Sequence, residues 1–319
     1  MKPAGPLALG IDIGGTNTKV GLVDGSGNIF NFQAFPTQAK GSDPQPFLDK
    51  LTVTAGNILE SCTEEVTGIG VCFHGYIDDE QRGPLICENT PALRGFDFQS
   101  WLGKKHTIPV IVSNDLASHA MAEYWFGSGR GTRRFMTLAV GTGIGVGVVI
   151  DSKPLRFLGG TSGDTGRIIL EPGGPECAYH VSGSAEALCG TANIERLAEK
   201  YYGKKVSAYE VIKAAKEGSD SKAVEIIEQI GEYLGWTLAS LCTIFLPEKV
   251  ALTGGTSQAG YVLLNSCRER FEELLAEYLL IFKETSGGIY GSVEIVLSEY
   301  RGESGIVGAV IELLGVNNQ

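Results

Sequence analysis

The chain opens on two apolar runs, residues 7–13 and 20–23, separated by a glycine-rich polar turn and closed by Asp24-Gly25-Ser26-Gly27. Apolar runs of this length bounded by turn residues predict strands. The stretch therefore reads as a β-hairpin whose turn carries Gly14, Gly15, Thr16, Asn17 and Thr18. Rough alternation predicts a third strand over 29–35, ended by Pro36. Ser42-Asp43-Pro44 marks a helix start, and the helix runs to about Cys62. Strands follow at 66–73 and 108–112, with a short helix at 97–104 and another at 116–125.

A second strand–turn–strand unit spans 135–151. At an offset of 126 residues, Gly15-Thr16 falls on Gly141-Thr142, Val20-Gly21 on Val146-Gly147 and Val23 on Val149. Such a repeat suggests two related halves. Beyond it, a strand is expected at 168–171. Apolar spacing of three and four predicts helices at 184–202, 207–217, 221–245, 259–280 and 303–314. Short strands are expected at 250–253 and 293–297, the first running into Gly254-Gly255-Thr256.

At 319 residues the chain has room for two domains. Its 43% hydrophobic and 20% charged content suits a globular protein with a large core. A net charge of −11 argues against nucleic acid or an anionic membrane surface as partner. No apolar run reaches the roughly 20 residues of a membrane span. The start of the chain lacks signal-peptide architecture, so a cytoplasmic location is expected. Seven scattered cysteines without a CxxC read as reduced thiols.

Asp12 lies inside an apolar strand, where an acid is costly without a partner. Beside a glycine-rich turn that partner is a cation or a cation-bound phosphate, since bare amides in such a turn bind anions. A tight hairpin capped by Asp12 is the plain alternative. The turn is no P-loop, for GxxxxGK[ST] is absent, and its glycines lead into a strand, which also excludes the Rossmann fingerprint. Ser113-Asn114-Asp115 sits where a strand meets a helix. Such residues serve as N-caps, or, at the C-terminal end of a strand, as a catalytic acid.

Three glycine-rich turns at strand ends (14–18, 141–145, 254–256) resemble those of the actin-like ATPase and sugar-kinase superfamily. Within it the chain resembles the ROK family of sugar kinases and repressors. The motifs are Asp12-Ile-Gly-Gly-Thr-Asn, Gly68-Ile-Gly-Val, Gly75-Tyr-Ile-Asp78 and Asn89-Thr-Pro-Ala-Leu-Arg-Gly-Phe, followed by Ser113-Asn-Asp-Leu-Ala, Leu138-Ala-Val-Gly-Thr-Gly-Ile-Gly and Leu252-Thr-Gly-Gly. The resemblance implies an α/β, two-domain actin-like ATPase (ribonuclease H-like) fold with a nucleotide cleft between duplicated domains. Residues 1–125 would form a small N-terminal domain, 126–303 a large C-terminal domain, and 304–319 a helix packing back on the first.

It also implies ATP-dependent phosphorylation of a hexose or modified hexose at its 6-hydroxyl, with ATP and Mg²⁺. Asp115 would be the general base and Asn114 would bind the sugar. Asp12 would hold Mg²⁺ through water. The turns Gly14, Gly15, Thr16, Asn17 and Gly141, Thr142, Gly143 would bind phosphates, and Gly254 and Gly255 the adenosine. Asn89, Asp164, Arg167, Glu186 and His74 complete the expected substrate contacts. A homodimer is expected, as dimers are common in the family.

The chain departs from the family at Asp164-Thr165-Gly166-Arg167, where Glu-x-Gly-His is usual, and it lacks CxCGxxGC. Cys177, His180 and Cys189 remain, but tetrahedral structural zinc takes four ligands, which disfavours zinc. Arg167 reads either as a salt bridge to a nearby acid or as a contact to an acidic or modified sugar. The competing reading is a catalytically degenerate ROK protein that binds sugar or nucleotide as a sensor. A DNA-binding repressor is disfavoured, because the first hairpin begins at Leu7.

Overall fold

Around the opening hairpin a five-stranded sheet is assembled. The structure is a computed structural model that describes residues 3, 5–300 and 302–316. Strands β1 (Leu7–Ile13) and β2 (Asn17–Asp24) pair antiparallel, with Leu7 opposite Asp24 and Ile13 opposite Thr18. The sheet adds β3 (Ile29–Pro36) as an edge strand with a largely exposed face. Helix α1 (Gln45–Glu60) follows Pro44, whose fixed φ suits a helix start. Strand β4 (Val66–Phe73) runs parallel to β1, and the loop after it holds the two-residue β5 (Tyr76–Ile77), paired with β6 (Pro84–Ile86). Helix α2 (Phe98–His106) is capped by Asp97, and β7 (Val110–Asn114) leads into α3 (Asp115–Phe126).

The second sheet is built from β8 (Arg134–Val140), β9 (Ile144–Ile150) and β10 (Lys153–Pro154). Helices α4 (Ala185–Cys189), α5 (Thr191–Tyr202), α6 (Ala208–Glu217) and α7 (Ser221–Phe245) come next. Then follow β11 (Lys249–Thr253), α8 (Tyr261–Thr285), β12 (Glu294–Leu297) and α9 (Ser304–Leu314). The two sheets have the same topology, β3-β2-β1-β4-β7 and β10-β9-β8-β11-β12. In each an antiparallel hairpin feeds parallel central strands, so the faint sequence repeat has a structural counterpart.

Described residues up to 131, residues 149–163 and those from 299 onward form one compact unit; 132–148 and 164–298 form the other. The first division falls after residue 131 rather than 125, and 149–163 groups with the first unit as well as the C-terminal segment. The end of β9 and the segment after it lie with the first unit, where β10 packs near α3.

The core of the first unit is continuous, from Leu9, Ile11, Ile69 and Val71 on the sheet to Leu51 of α1 and Phe98 of α2. On the other face α9 lies across β1 and β4. Gly10 and Gly70 make this possible, since a Cβ on either would collide with Ile306 or with Ala309 of α9. Gly308 in turn lies against the Ser118 carbonyl of α3.

Two expected elements differ. The strand at 168–171 reduces to a bridge between Ile169 and Ser184 in a loop rich in glycine and proline. The helix at 184–202 breaks at Gly190 into α4 and α5. The chain there packs against the 141–143 turn, and a Cβ on Gly190 would sit 2.8 Å from the Thr142 carbonyl oxygen.

Candidate functional site

In the first unit, Ile13, Phe73 and Asn114 stand level across the parallel strands β1, β4 and β7. One residue further along each chain stand Gly14, His74 and Asp115. Asp12 pairs with Cys72, and Cys72 with Ser113. The C-terminal ends of parallel strands are where open α/β sheets put their sites, because adjacent connections splay apart there.

Asn114 is the N-cap of α3. Its Oδ1 accepts from the amides of Leu116 at 2.9 Å and Ala117 at 3.4 Å. Its Nδ2 donates to the Gly75 carbonyl at 2.6 Å and to Asp115 Oδ1 at 3.0 Å. With Asn114 buried and these groups engaged, its side chain holds Asp115 and the 74–78 loop in place. Asp115 Oδ1 also accepts from the Leu116 amide at 2.9 Å. Protein packed around the carboxyl raises its pKa, and nearby Asp12 adds to that rise; His119 and His74 and the Leu116 amide oppose it.

His74 is half-buried rather than a free loop residue. One ring nitrogen lies 3.1 Å from the Ile13 carbonyl and the other 3.4 Å from the Thr90 hydroxyl, roles set by the tautomer. Its ring stacks on Phe73. Asn89 packs against Gly15, where an added Cβ would lie 2.7 Å from the Asn89 Cβ.

The first glycine-rich turn is closed by the Gly14 amide on the Asn17 carbonyl at 3.1 Å. The amides of Gly15 and Thr16 have no acceptor among the described residues, and Thr16 is exposed. Bare amides in a turn can bind an anion. Asp12 is partly open, and the first turn of α9 reaches it: a Cβ on Gly305 would sit 2.6 Å from its carboxylate. The arrangement fits a hydrated Mg²⁺, whose oxygen ligands are commonly one or two carboxylates plus waters.

The second unit repeats the plan. Thr253 of β11 stands beside Ala139 of β8, so the turns after both strands are neighbours. In the first of them Gly141 donates to the Gly143 carbonyl at 3.0 Å, while the Thr142 and Gly143 amides have no acceptor among the described residues. Gly254 follows β11 with φ of +89° and no room for a Cβ beside Val140. Gly255 is exposed and opens a one-turn 3₁₀ segment.

Arg167 and Glu186 come together in the same unit. Arg167 Nη1 donates to Glu186 Oε1 at 2.6 Å, its Nε lies 3.5 Å from Asp164, and its guanidinium sits 4.5 Å from the Tyr179 ring centre. The salt-bridge reading of Arg167 is what the geometry supports. Cys177 is 3.5 Å from Arg167. Burial opposes ionisation of that thiol, but the amides of Tyr179 and Val181, the Ser184 hydroxyl and the Arg167 charge outweigh it, so its pKa is lowered.

The three remaining zinc-capable residues do not gather. Cys189 is buried in α4, Cys177 is half-buried, and the His180 side chain is 89% exposed. No group of three or more His, Cys, Asp and Glu among the described residues is arranged to hold a metal. Sequence reading missed His119, four residues beyond Asp115, whose Nδ1 lies 2.8 Å from the Ser304 hydroxyl. It also missed Cys72 between Asp12 and Asp115, whose thiol burial pushes well above the ordinary range. Only the i, i+4 spacing on α3 could have signalled His119.

The ROK family profile matches residues 8–314. A glucokinase from Thermotoga maritima is 30% identical over 94% of this chain and 95% of its own length. The structure of a ROK hexokinase from Thermus thermophilus superposes with a TM-score of 0.81 at 27% identity, covering 96% of this chain and 97% of that one. A ROK family glucokinase from Streptomyces griseus, solved with glucose and AMPPNP, gives 0.72 at 26% identity over 95% and 97%. The chain therefore belongs to the ROK family and has its actin-like ATPase fold.

Proposed function

We propose that this chain, a sugar kinase of the ROK family, transfers the γ-phosphoryl group of ATP to the 6-hydroxyl of a neutral hexose, with Asp115 as general base. The observation that carries this reading is the Asp115 carboxylate, held by Asn114 and the Leu116 amide at the parallel strand ends, with a pKa raised by burial. A carboxylate so placed takes the hydroxyl proton as the sugar oxygen attacks phosphorus in line and ADP departs. A raised pKa makes it a better proton acceptor than an ordinary aspartate, provided it is ionised at working pH.

Asp12, with Gly14, Gly15, Thr16 and Asn17 beside it, has the groups for the metal–phosphate end of ATP. Bound with ATP, Mg²⁺ supplies positive charge to the β- and γ-phosphate oxygens. Gly141, Thr142 and Gly143 offer further phosphate amides, and Gly254 and Gly255 a bare backbone for the adenosine. Asn89, His74 and Asp164 are assigned to acceptor recognition, Asn114 to holding Asp115, and Glu186 to pairing with Arg167. Arg167 argues for an uncharged acceptor: Glu186 and Asp164 already take its charge, so a carboxylate-bearing sugar gains no free cation there. Names of relatives agree with the class, the Thermotoga maritima protein being a glucokinase.

The test is ADP release across glucose, mannose, N-acetylglucosamine and glucuronate, with Asp115→Asn as control. Turnover is expected with a neutral hexose and not with glucuronate. The variant should lose about 10²–10⁴-fold in kcat, the usual contribution of a general base, with sugar binding kept. Tight sugar binding without ADP release from any sugar would replace this reading with the sensor.

A further inference from the structure

We infer that Arg167 is a positioning residue for the nucleotide: its ion pair neutralises Glu186, a carboxylate lodged behind the 141–143 phosphate turn. The inference rests on the nucleotide role proposed for that turn. Glu186 lies in the first turn of α4, and its two oxygens face different ways. Oε1 takes Arg167 Nη1 at 2.6 Å. Oε2 lies 3.4 Å from the Ile144 amide, at the end of the turn.

The turn and the Arg167 loop are closed down on this carboxylate by two glycines. A Cβ on Gly143 would sit 2.6 Å from Glu186 Oε2. One on Gly166, next to Arg167, would sit 2.7 Å from the Ile144 carbonyl oxygen. A third tie comes from the Thr191 amide, which donates to the Gly141 carbonyl at 2.9 Å. Glu186 is thus part of the floor of the turn, with its side chain only 14% exposed.

A bare carboxylate there opposes what the turn is proposed to do. Amides bind phosphate because they present positive partial charge, and an anion touching the same residues cancels it. The opposition is strong because water screens a shielded charge poorly. Arg167 removes it. Its guanidinium is fixed by Glu186, by Tyr179 beneath it and by Asp164 at 3.5 Å, so the neutralising charge cannot swing away. Asp164 is the remaining acid of the group and is exposed, with a side chain 46% accessible. Charge, more than shape, is therefore what Arg167 contributes to the turn.

The experiment is calorimetric titration of the full-length protein with AMP-PNP and Mg²⁺ in the absence of sugar, which removes any role of Arg167 in acceptor binding. Arg167→Met should weaken AMP-PNP on the order of ten-fold, the effect of one poorly screened charge several ångströms away. Arg167→Lys, which keeps the charge but loses the planar contact with Tyr179, should weaken it less than Arg167→Met does. The double variant Arg167→Met with Glu186→Gln should recover to within about two-fold, because the offending charge is gone. A residue that only shaped the loop would give no such recovery. Wild-type affinity in Arg167→Met, or a double variant as weak as the single in a protein with native circular dichroism, overturns the inference alone. Failure of the wild type to bind AMP-PNP overturns the nucleotide reading of the turn and this inference with it.

Discussion

At the scale of the residue, the base proposed at position 115 sets stability against chemistry. Its folded-state pKa is raised by burial above the value it has in the unfolded chain. The folded state then binds the proton more tightly, so the stability this adds is fully present below the unfolded value and is lost as pH rises through the raised one. Asp115→Asn is accordingly expected to be at least as heat-stable as wild type at neutral pH while losing turnover. A melting temperature several degrees lower, measured at pH 7, would count against this account. The same direction sets a kinetic expectation. A base works when deprotonated, so the acid limb of kcat/KM, which reports the free enzyme, should lie above the range of an ordinary aspartate. A limb at the ordinary position in a pH–rate profile would exclude Asp115 as the group titrated. For Asp12, proposed to hold Mg²⁺ through water, Asn substitution should raise the Mg²⁺ concentration for half-maximal activity about ten-fold or more, the usual effect of losing an outer-shell partner.

At the scale of elements, α9 does more than close the chain. It covers β1 and β4 where Gly10 and Gly70 clear the way, and Gly308 seats it on the Ser118 carbonyl of α3, the helix that begins at Asp115. Gly308→Ala would put a methyl group into that carbonyl. Overpacking a tight contact costs about 1–3 kcal/mol, so a fall in melting temperature of several degrees is expected. Since α3 must shift to relieve the clash, kcat should fall as well. A variant as stable as wild type would show that the helices part freely. This seat was only partly legible from sequence: Gly305 and Gly308 announce close packing without saying against what.

For the whole molecule, the same sheet order occurs twice, each time with a glycine-rich turn after the first strand of an antiparallel hairpin. Chelation with EDTA should abolish turnover and excess Mg²⁺ restore it. Persistence of full activity in the chelator would remove the metal from the proposed function. Much of this was legible from the chain itself. Strand–turn–strand patterns at 7–24 and 134–150 stand out because glycine and apolar runs are strictly local signals. Less legible was the 151–183 region, where glycine and proline suppress periodicity, and the strand expected at 168–171 is absent.

Local chemistry in the sequence determined the strands, the helix starts, the glycine turns and the presence of acids near the ends of β1 and β7, because these depend on neighbours a few residues away. Only the tertiary structure decided which partners those groups meet. It set Asn114 under Asp115, His74 on the Ile13 carbonyl, α9 against Asp12 and Arg167 on Glu186. Each of these pairings except the first joins residues far apart in the chain. Their geometry follows from sheet register and helix packing, which no short window of sequence encodes.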